Sequence, residues 1–250
     1  MYPSPLRNSK RIFKLIAVIL IGVMAACVPL ASFLRLTERC SGAAILMQQI
    51  PVIVIDAGHG GIDGGAVAQD GTLEKDLNLS IAQKTERLFW LFGYKTVMTR
   101  SDDRLISDKN ATTIRQKKSS DLHNRSKLLS SYENAVLLSI HQNKFSQAKY
   151  SGTQVFYSGN HPSGQLLAGC MQRSIVSALQ PQNTREIKRS GSEIYLLHTA
   201  QHPAVMVECG FLSNKEELSK LKDSDYQSKI AFCILYGIID FNSEDQKNIL

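Results

Sequence analysis

Continuous apolar runs alternate with helically spaced apolar positions along most of this chain, and that alternation sets the first picture of its fold. Val52 to Ile55 is a β-branched run that ends at Asp56 and a group of glycines, the pattern of a buried strand opening into a loop. Leu77, Ile81, Leu88 and Leu91 follow at helical spacing with Gly93 closing the segment, and Tyr94 to Thr99 returns as a strand. Asp102 to Ser120 holds few apolar residues and reads as a mobile loop. Leu122 to Leu129 repeats the helical pattern, and Ala135 to Ile140 is a strand that stops at His141. Thr153 to Tyr157 reads as a strand, Gln165 to Leu179 as an amphipathic helix, Ala204 to Val207 as another strand and Tyr226 to Ile239 as a closing helix. Strands alternating with helices predict a single α/β domain whose mainly parallel, twisted sheet is flanked by helices on both faces. In such a sheet, binding sites collect beyond the carboxyl ends of the strands.

Ahead of this domain, Leu15 to Leu34 carries no charged residue, and roughly twenty residues rising about 1.5 Å each can span the hydrocarbon core of a bilayer. Lys10, Arg11 and Lys14 precede it, which places the N-terminus in the cytoplasm and the rest on the extracytoplasmic face. The expected organisation is a basic cytoplasmic segment at 1–14, a signal-anchor or signal peptide at 15–34, a linker at 35–50, a catalytic domain at 51–241 and a polar tail at 242–250. Cleavage of the apolar segment, or lipidation at Cys27 after Met24-Ala25-Ala26, are the alternatives, and both leave the domain outside the cytoplasm.

Composition adds little to the fold and more to the choice of partner. A content of 43% hydrophobic and 20% charged residues suits one sizeable core. The net charge of +7 would fit nucleic acid, but Arg115, Lys117 and Lys118 sit in a polar stretch without aromatic platforms, and a polyanionic cell wall or an anionic membrane surface explains the balance as well; no nucleic acid is expected. The five cysteines, Cys27, Cys40, Cys170, Cys209 and Cys233, form no C-x-x-C pair and no even framework, which disfavours a zinc ribbon or a disulfide scaffold.

The candidate chemistry lies at the strand ends. His59 follows the first strand in Asp56-Ala57-Gly58-His59-Gly60-Gly61, Glu74 opens the next helix, and His141 ends the Ala135 to Ile140 strand. Two imidazoles and a carboxylate on three rigid elements match a catalytic zinc set, which keeps a fourth position open. Glu208 ends the last strand and points to the same edge, where a carboxylate could move protons between a water and a leaving nitrogen. Taken singly each residue has a plainer reading: a strand-end histidine is often only hydrogen-bonded, and a glutamate in a first helical turn often only complements the helix dipole. It is the convergence of four such residues on one edge that points to metal-assisted amide hydrolysis. With no H-E-x-x-H helix, the thermolysin arrangement is disfavoured.

Four stretches carry a family resemblance: Asp56 through Ala66, Glu74, Ser139-Ile140-His141-Gln142-Asn143, and Val207-Glu208-Cys209-Gly210-Phe211-Leu212-Ser213-Asn214. In this order, from about Val52 to Phe241, the chain resembles the zinc-dependent N-acetylmuramoyl-L-alanine amidases of the third amidase family, and most nearly those specific to sporulation. The resemblance implies that His59, Glu74 and His141 hold zinc, that Glu208 is the catalytic carboxylate, and that the substrate is the sugar–peptide amide of peptidoglycan. It also matches Arg125 and Asn143 to positions of possible substrate contact. Gly64 stands where the family often has proline, and the stretch from Tyr157 to Glu208 is too short for the occluding regulatory helix of some relatives. An extracellular zinc exopeptidase and a wall-binding module with a dead site remain the rival readings, and an activating or recruiting protein partner leaves no mark in the sequence.

Overall fold

The computed structural model describes residues 50–249. The basic segment, the apolar run at 15–34 and all but the last residue of the linker, with Cys27 and Cys40, therefore lie outside the described residues.

Six strands of the described residues form one sheet in the order β2-β1-β3-β6-β4-β5. They are β1 (Val52–Ala57), β2 (Thr96–Met98), β3 (Ala135–Asn143), β4 (Gln154–Tyr157), β5 (Lys188–Arg189) and β6 (Ala204–Phe211). The helices are α1 (Glu74–Leu91), α2 (Ile114–Ser130), α3 (Gly164–Leu179), α4 (Tyr195–Thr199), α5 (Lys215–Lys222) and α6 (Ser224–Ile249). Strands β2, β1, β3 and β6 run parallel, but β4 pairs antiparallel with β6 and β5 then runs parallel to β4. The sheet is thus mixed. The connection from β3 to β4 carries no helix, so nothing returns the chain to the opposite edge for a parallel entry.

Alternate strand residues feed two apolar layers, as the pleat requires. Ile53, Ile55, Val136, Leu138, Ile140, Val205 and Val207 face the larger core with α1, α3, α5 and α6. Val54, Leu137, Ala204 and Met206 face a smaller one, closed by Leu129 of α2 and by Leu196 and Leu197 of α4. Helices therefore cover both faces, and the second cover is the thinner. Cys170, Cys209 and Cys233 are buried free thiols within the larger core.

Three sequence expectations change. The stretch read as a mobile loop over 102–120 becomes helix from Ile114, because Thr113 and Gln116 close a reciprocal capping box at its start. The polar tail expected from 242 instead continues α6 to Ile249, and Asn242 reaches back to donate to Tyr94 Oη at 3.2 Å. Short elements at Lys188–Arg189, Tyr195–Thr199 and Lys215–Lys222 add to the pattern read from the sequence.

Candidate metal centre and active site

The glycine-rich segment after β1 is shaped around the two histidines. His59 takes a positive φ of 62°, and Arg125 fixes that turn by donating from Nη2 to the His59 carbonyl at 2.7 Å. A Cβ at Gly58 would collide with His141 Nε2, and one at Gly65, whose φ is 69°, would come within 2.6 Å of both Glu74 Oε2 and His59 Cδ2. Glycine is needed at these two positions because imidazole and carboxylate pass directly over the backbone.

Glu74, buried at the first turn of α1, bridges the two rings: its Oε1 lies 2.9 Å from His141 Nδ1 and its Oε2 3.3 Å from His59 Nε2. The rings meet edge-on, with centroids 4.9 Å apart. One ligand atom from each of His59, Glu74 and His141 lies within 4.8 Å of the others. The carboxylate is aimed by three further donors, Ala66 N at 2.8 Å, Gln142 N at 3.1 Å and Asn78 Nδ2 at 3.3 Å. His59 Nδ1 meets Asp63 Oδ2 at 2.8 Å, and Lys118 holds the other Asp63 oxygen at 3.0 Å. A carboxylate on the far ring nitrogen is the usual device for orienting a ligating imidazole.

These contacts set the charges. Burial pulls the His59 imidazole down, but Asp63 and Glu74 more than reverse this and hold it at about 9. Burial likewise pushes the Glu74 carboxyl up, and the two imidazoles overcome it and hold the group well below its ordinary range. A site that draws a proton this strongly onto His59 offers the same attraction to a divalent cation, which would bind the neutral ring in the proton's place.

Glu208 stands beside this cluster in a different condition. It is the register partner of His141 across β3 and β6, with Gln154 of β4 on its other side. Its Oε2 is buried without a hydrogen-bond partner, and burial, with a smaller push from Glu74, raises the carboxyl to about 7. An orphaned carboxylate oxygen costs free energy and persists where something outside the chain's own contacts uses it.

The sequence profile of the N-acetylmuramoyl-L-alanine amidase family (Amidase_3) matches residues 53–240, which covers the sheet, α1 to α5 and nearly all of the site's framework. The chain belongs to that family. The amidase is 35% identical over 193 residues to the germination-specific N-acetylmuramoyl-L-alanine amidase of Bacillus subtilis (strain 168), covering 77% of this chain and 80% of that one. It is similar to the CwlD amidase of Clostridioides difficile, solved in complex with the GerS lipoprotein, with a TM-score of 0.74 at 40% identity over 77% of this chain and 98% of that one. The catalytic domain of CwlV from Bacillus (Paenibacillus) polymyxa var. colistinus gives a TM-score of 0.65 at 30% identity over the same shares. Amide cleavage in peptidoglycan is therefore the activity, and the exopeptidase and dead-module readings fall away.

The structure brings His59, Glu74, His141 and Glu208 together. It does not bring Arg125 to the substrate side. The guanidinium is 2% exposed and spent inside the protein, with Nη1 on Asp56 Oδ1 at 2.7 Å and on the Ala57 carbonyl at 2.8 Å, and Nε on Asp121 at 2.8 Å. Its expected substrate contact is corrected to a buried strut beneath the His59 turn. Asn143 lies half-buried past a register shift in the β3–β6 pairing, its carbonyl accepting from Leu212 N at 2.8 Å. Sequence reasoning missed Asp63, Asn78, Gln142 and Arg100. Arg100 is buried and ties the carbonyls of Ala57, Gly58 and Lys75 together at 2.8–3.0 Å. Asn78 had a signal, since it stands four residues after Glu74 on the same helix face.

Proposed function

We propose that this amidase is a zinc enzyme in which His59, Glu74 and His141 hold the metal and Glu208 moves the protons, and that it acts on peptidoglycan in spore-cortex formation. The observation that carries the assignment is the contrast within one edge of the sheet: three donors converge, His59 held by Asp63 and Glu74 by backbone and Asn78 donors, while the adjacent Glu208 oxygen is buried without a hydrogen-bond partner. Two imidazoles and one carboxylate suit zinc and leave room for substrate. When bound, the metal would supply Lewis acidity, polarising the amide carbonyl and bringing the pKa of water down to about 7.

The chain's own residues then have separate tasks. Asp63 and the Gln142 amide hold His59 and Glu74 in place, and the glycines leave the histidine edge open. Glu208 Oε2 accepts a proton from the attacking water and delivers it to the departing nitrogen, so that the muramic lactyl group leaves as a carboxylic acid and L-alanine as a free amine. Burial without a hydrogen-bond partner leaves this oxygen free to take up and release that proton. Asn143, at the same edge, is assigned to substrate contact.

The spore-cortex role is supported by the germination-specific relative and by CwlD. Because CwlD was solved with a lipoprotein, an accessory lipoprotein is the partner class we assign to this chain as well. The apolar run at 15–34 is assigned as its anchor on the extracytoplasmic face. Mass spectrometry of purified peptidoglycan after digestion tests the central claim. Fragments with free L-alanine amines should appear, vanish with a chelator and return with zinc, and His59→Ala should neither hold zinc nor cut. Undiminished cleavage by chelated protein or by His59→Ala would remove the metal assignment while leaving the amidase activity standing.

A further inference from the structure

The end of the sheet opposite the site carries the most exposed apolar cluster of the described residues. Trp90, Leu91 and Phe92, consecutive at the C-terminal end of α1, are 73%, 69% and 56% exposed. Ile53 of β1 pairs with Thr96 of β2 in parallel, so this turn, which runs directly into β2, lies at the strands' amino ends. Looseness does not explain the exposure. Phe92 N donates to the Leu88 and Phe89 carbonyls, Gly93 N to Trp90 O at 3.1 Å and Tyr94 N to Phe89 O at 3.0 Å, so the turn is held while its side chains face outward. Scattered surface apolar residues need no explanation, but a fixed run containing tryptophan and phenylalanine does.

We propose that Trp90, Leu91 and Phe92 form a lipid-docking face that seats the amino edge of the sheet on the bilayer and turns the catalytic edge away from it. The inference rests on the reading of Leu15 to Leu34 as a membrane anchor. Fifteen residues, 35–49, separate that run from Ile50, and at no more than about 3.5 Å each they keep this edge within about 50 Å of the bilayer. A short tether makes weak docking intramolecular, at an effective concentration in the millimolar range, so a small patch suffices. The chemistry suits the interface. Indole and phenyl rings favour the headgroup level, and Arg87 and Lys95, both exposed and flanking the turn, favour anionic lipid. With β1 spanning six residues at about 3.3 Å each, the histidine edge would stand about 20 Å farther out, toward the wall.

Trp90 is the chain's one tryptophan, which makes it a built-in probe. The full-length chain is placed in vesicles of anionic and zwitterionic lipid, with and without brominated acyl chains. Docking predicts loss of most Trp90 emission in the brominated vesicles and protection from aqueous iodide. Leu91→Asp with Phe92→Asp should restore emission and iodide access while the chain still sediments with the vesicles. Iodide access measured on the unmodified chain keeps the result independent of how the variant folds. Sedimentation with Trp90 unquenched and open to iodide would overturn the docking face and leave the anchor standing. Failure to sediment at all would overturn both.

Discussion

Two buried polar clusters lie within a few residues of each other at the carboxyl edge of this sheet, and they are finished to different standards. In the first, Arg125, Asp56, Asp121, Thr99 and Ser139 pair charge with charge: Asp56 accepts from Arg125 at 2.7 Å, Thr99 at 2.9 Å and Ser139 at 2.6 Å, and burial notwithstanding its carboxyl stays at about 2. In the second, His59, Glu74 and His141 share one carboxylate, and Glu208 is left with a buried oxygen that has no hydrogen-bond partner. The closed cluster spends its polar groups on holding a backbone turn. The open one keeps a group in reserve, and that incompleteness is the ground for the catalytic role proposed for it.

The comparison can be broken most severely at Glu208. If the orphan is the proton carrier, Glu208→Gln should lower kcat by about 10² to 10⁴, or roughly 3 to 5 kcal/mol of barrier, while zinc content and fold remain. Steady-state cleavage of muropeptides alongside metal analysis reads both, and a variant that keeps full rate would make the open cluster merely imperfect packing.

Arg125 gives the opposite signature. Arg125→Ala strands Asp56 and Asp121 without their counter-ion, which typically costs about 3 to 5 kcal/mol of stability. Denaturant unfolding should show that loss. A substrate-contact role, by contrast, would raise KM in a protein of unchanged stability.

A third test sharpens the contrast through pH. Glu208 is raised to about 7 in the folded metal-free protein from an ordinary 4.5, so the unfolded chain gives up this proton first. Below the ordinary value Glu208 costs nothing; as pH rises from there toward about 7 a penalty accumulates, reaching roughly 3 kcal/mol and then levelling. Metal-free Glu208→Gln should therefore match the parent in stability at acid pH and exceed it at neutral pH. A constant difference across that window would show that burial does not strain the carboxyl.

The smallest effect expected is at the start of α2, the helix that delivers Arg125 and Lys118. Thr113→Ala removes the capping oxygen that receives Gln116 N at 3.2 Å and should cost about 1 kcal/mol in the unfolding midpoint analysis. No change there would mean the helix is held by Arg125 alone.

That helix also shows what the sequence concealed. Its buried positions, Asp121, Arg125 and Leu129, fall at a helical spacing of four, but two of the three are charged, so apolar periodicity could not reveal its inward face. The Thr113-x-x-Gln116 box was the available sign of where it begins. Strand β1 and the helix of Leu77 and Ile81 were legible because their buried residues are apolar, and the four candidate site residues were legible because each adjoins such a run, although β3 and β6 continue past His141 and Glu208, which the sequence placed at strand ends. Strand direction was not, since a short apolar run such as Gln154 to Tyr157 reads the same whichever way it enters the sheet. Asp63 and Arg100 escaped notice for a related reason: their work is done on backbone carbonyls and a neighbouring ring, contacts that exist only after the glycine turn has closed.

The position of β6 has a bearing on when this enzyme can do harm. It is late in the chain yet central in the sheet, inserted between β3 and β4, and it carries Glu208. A ribosome-bound chain can already display both histidines and Glu74, but the two halves of its sheet have no strand to join them. Contacts this far apart in sequence form late and cooperatively. If Glu208 is the proton carrier, hydrolytic competence arrives with the last strand, so a nascent polypeptide is inert and folding itself acts as the safety catch of a wall-cutting enzyme.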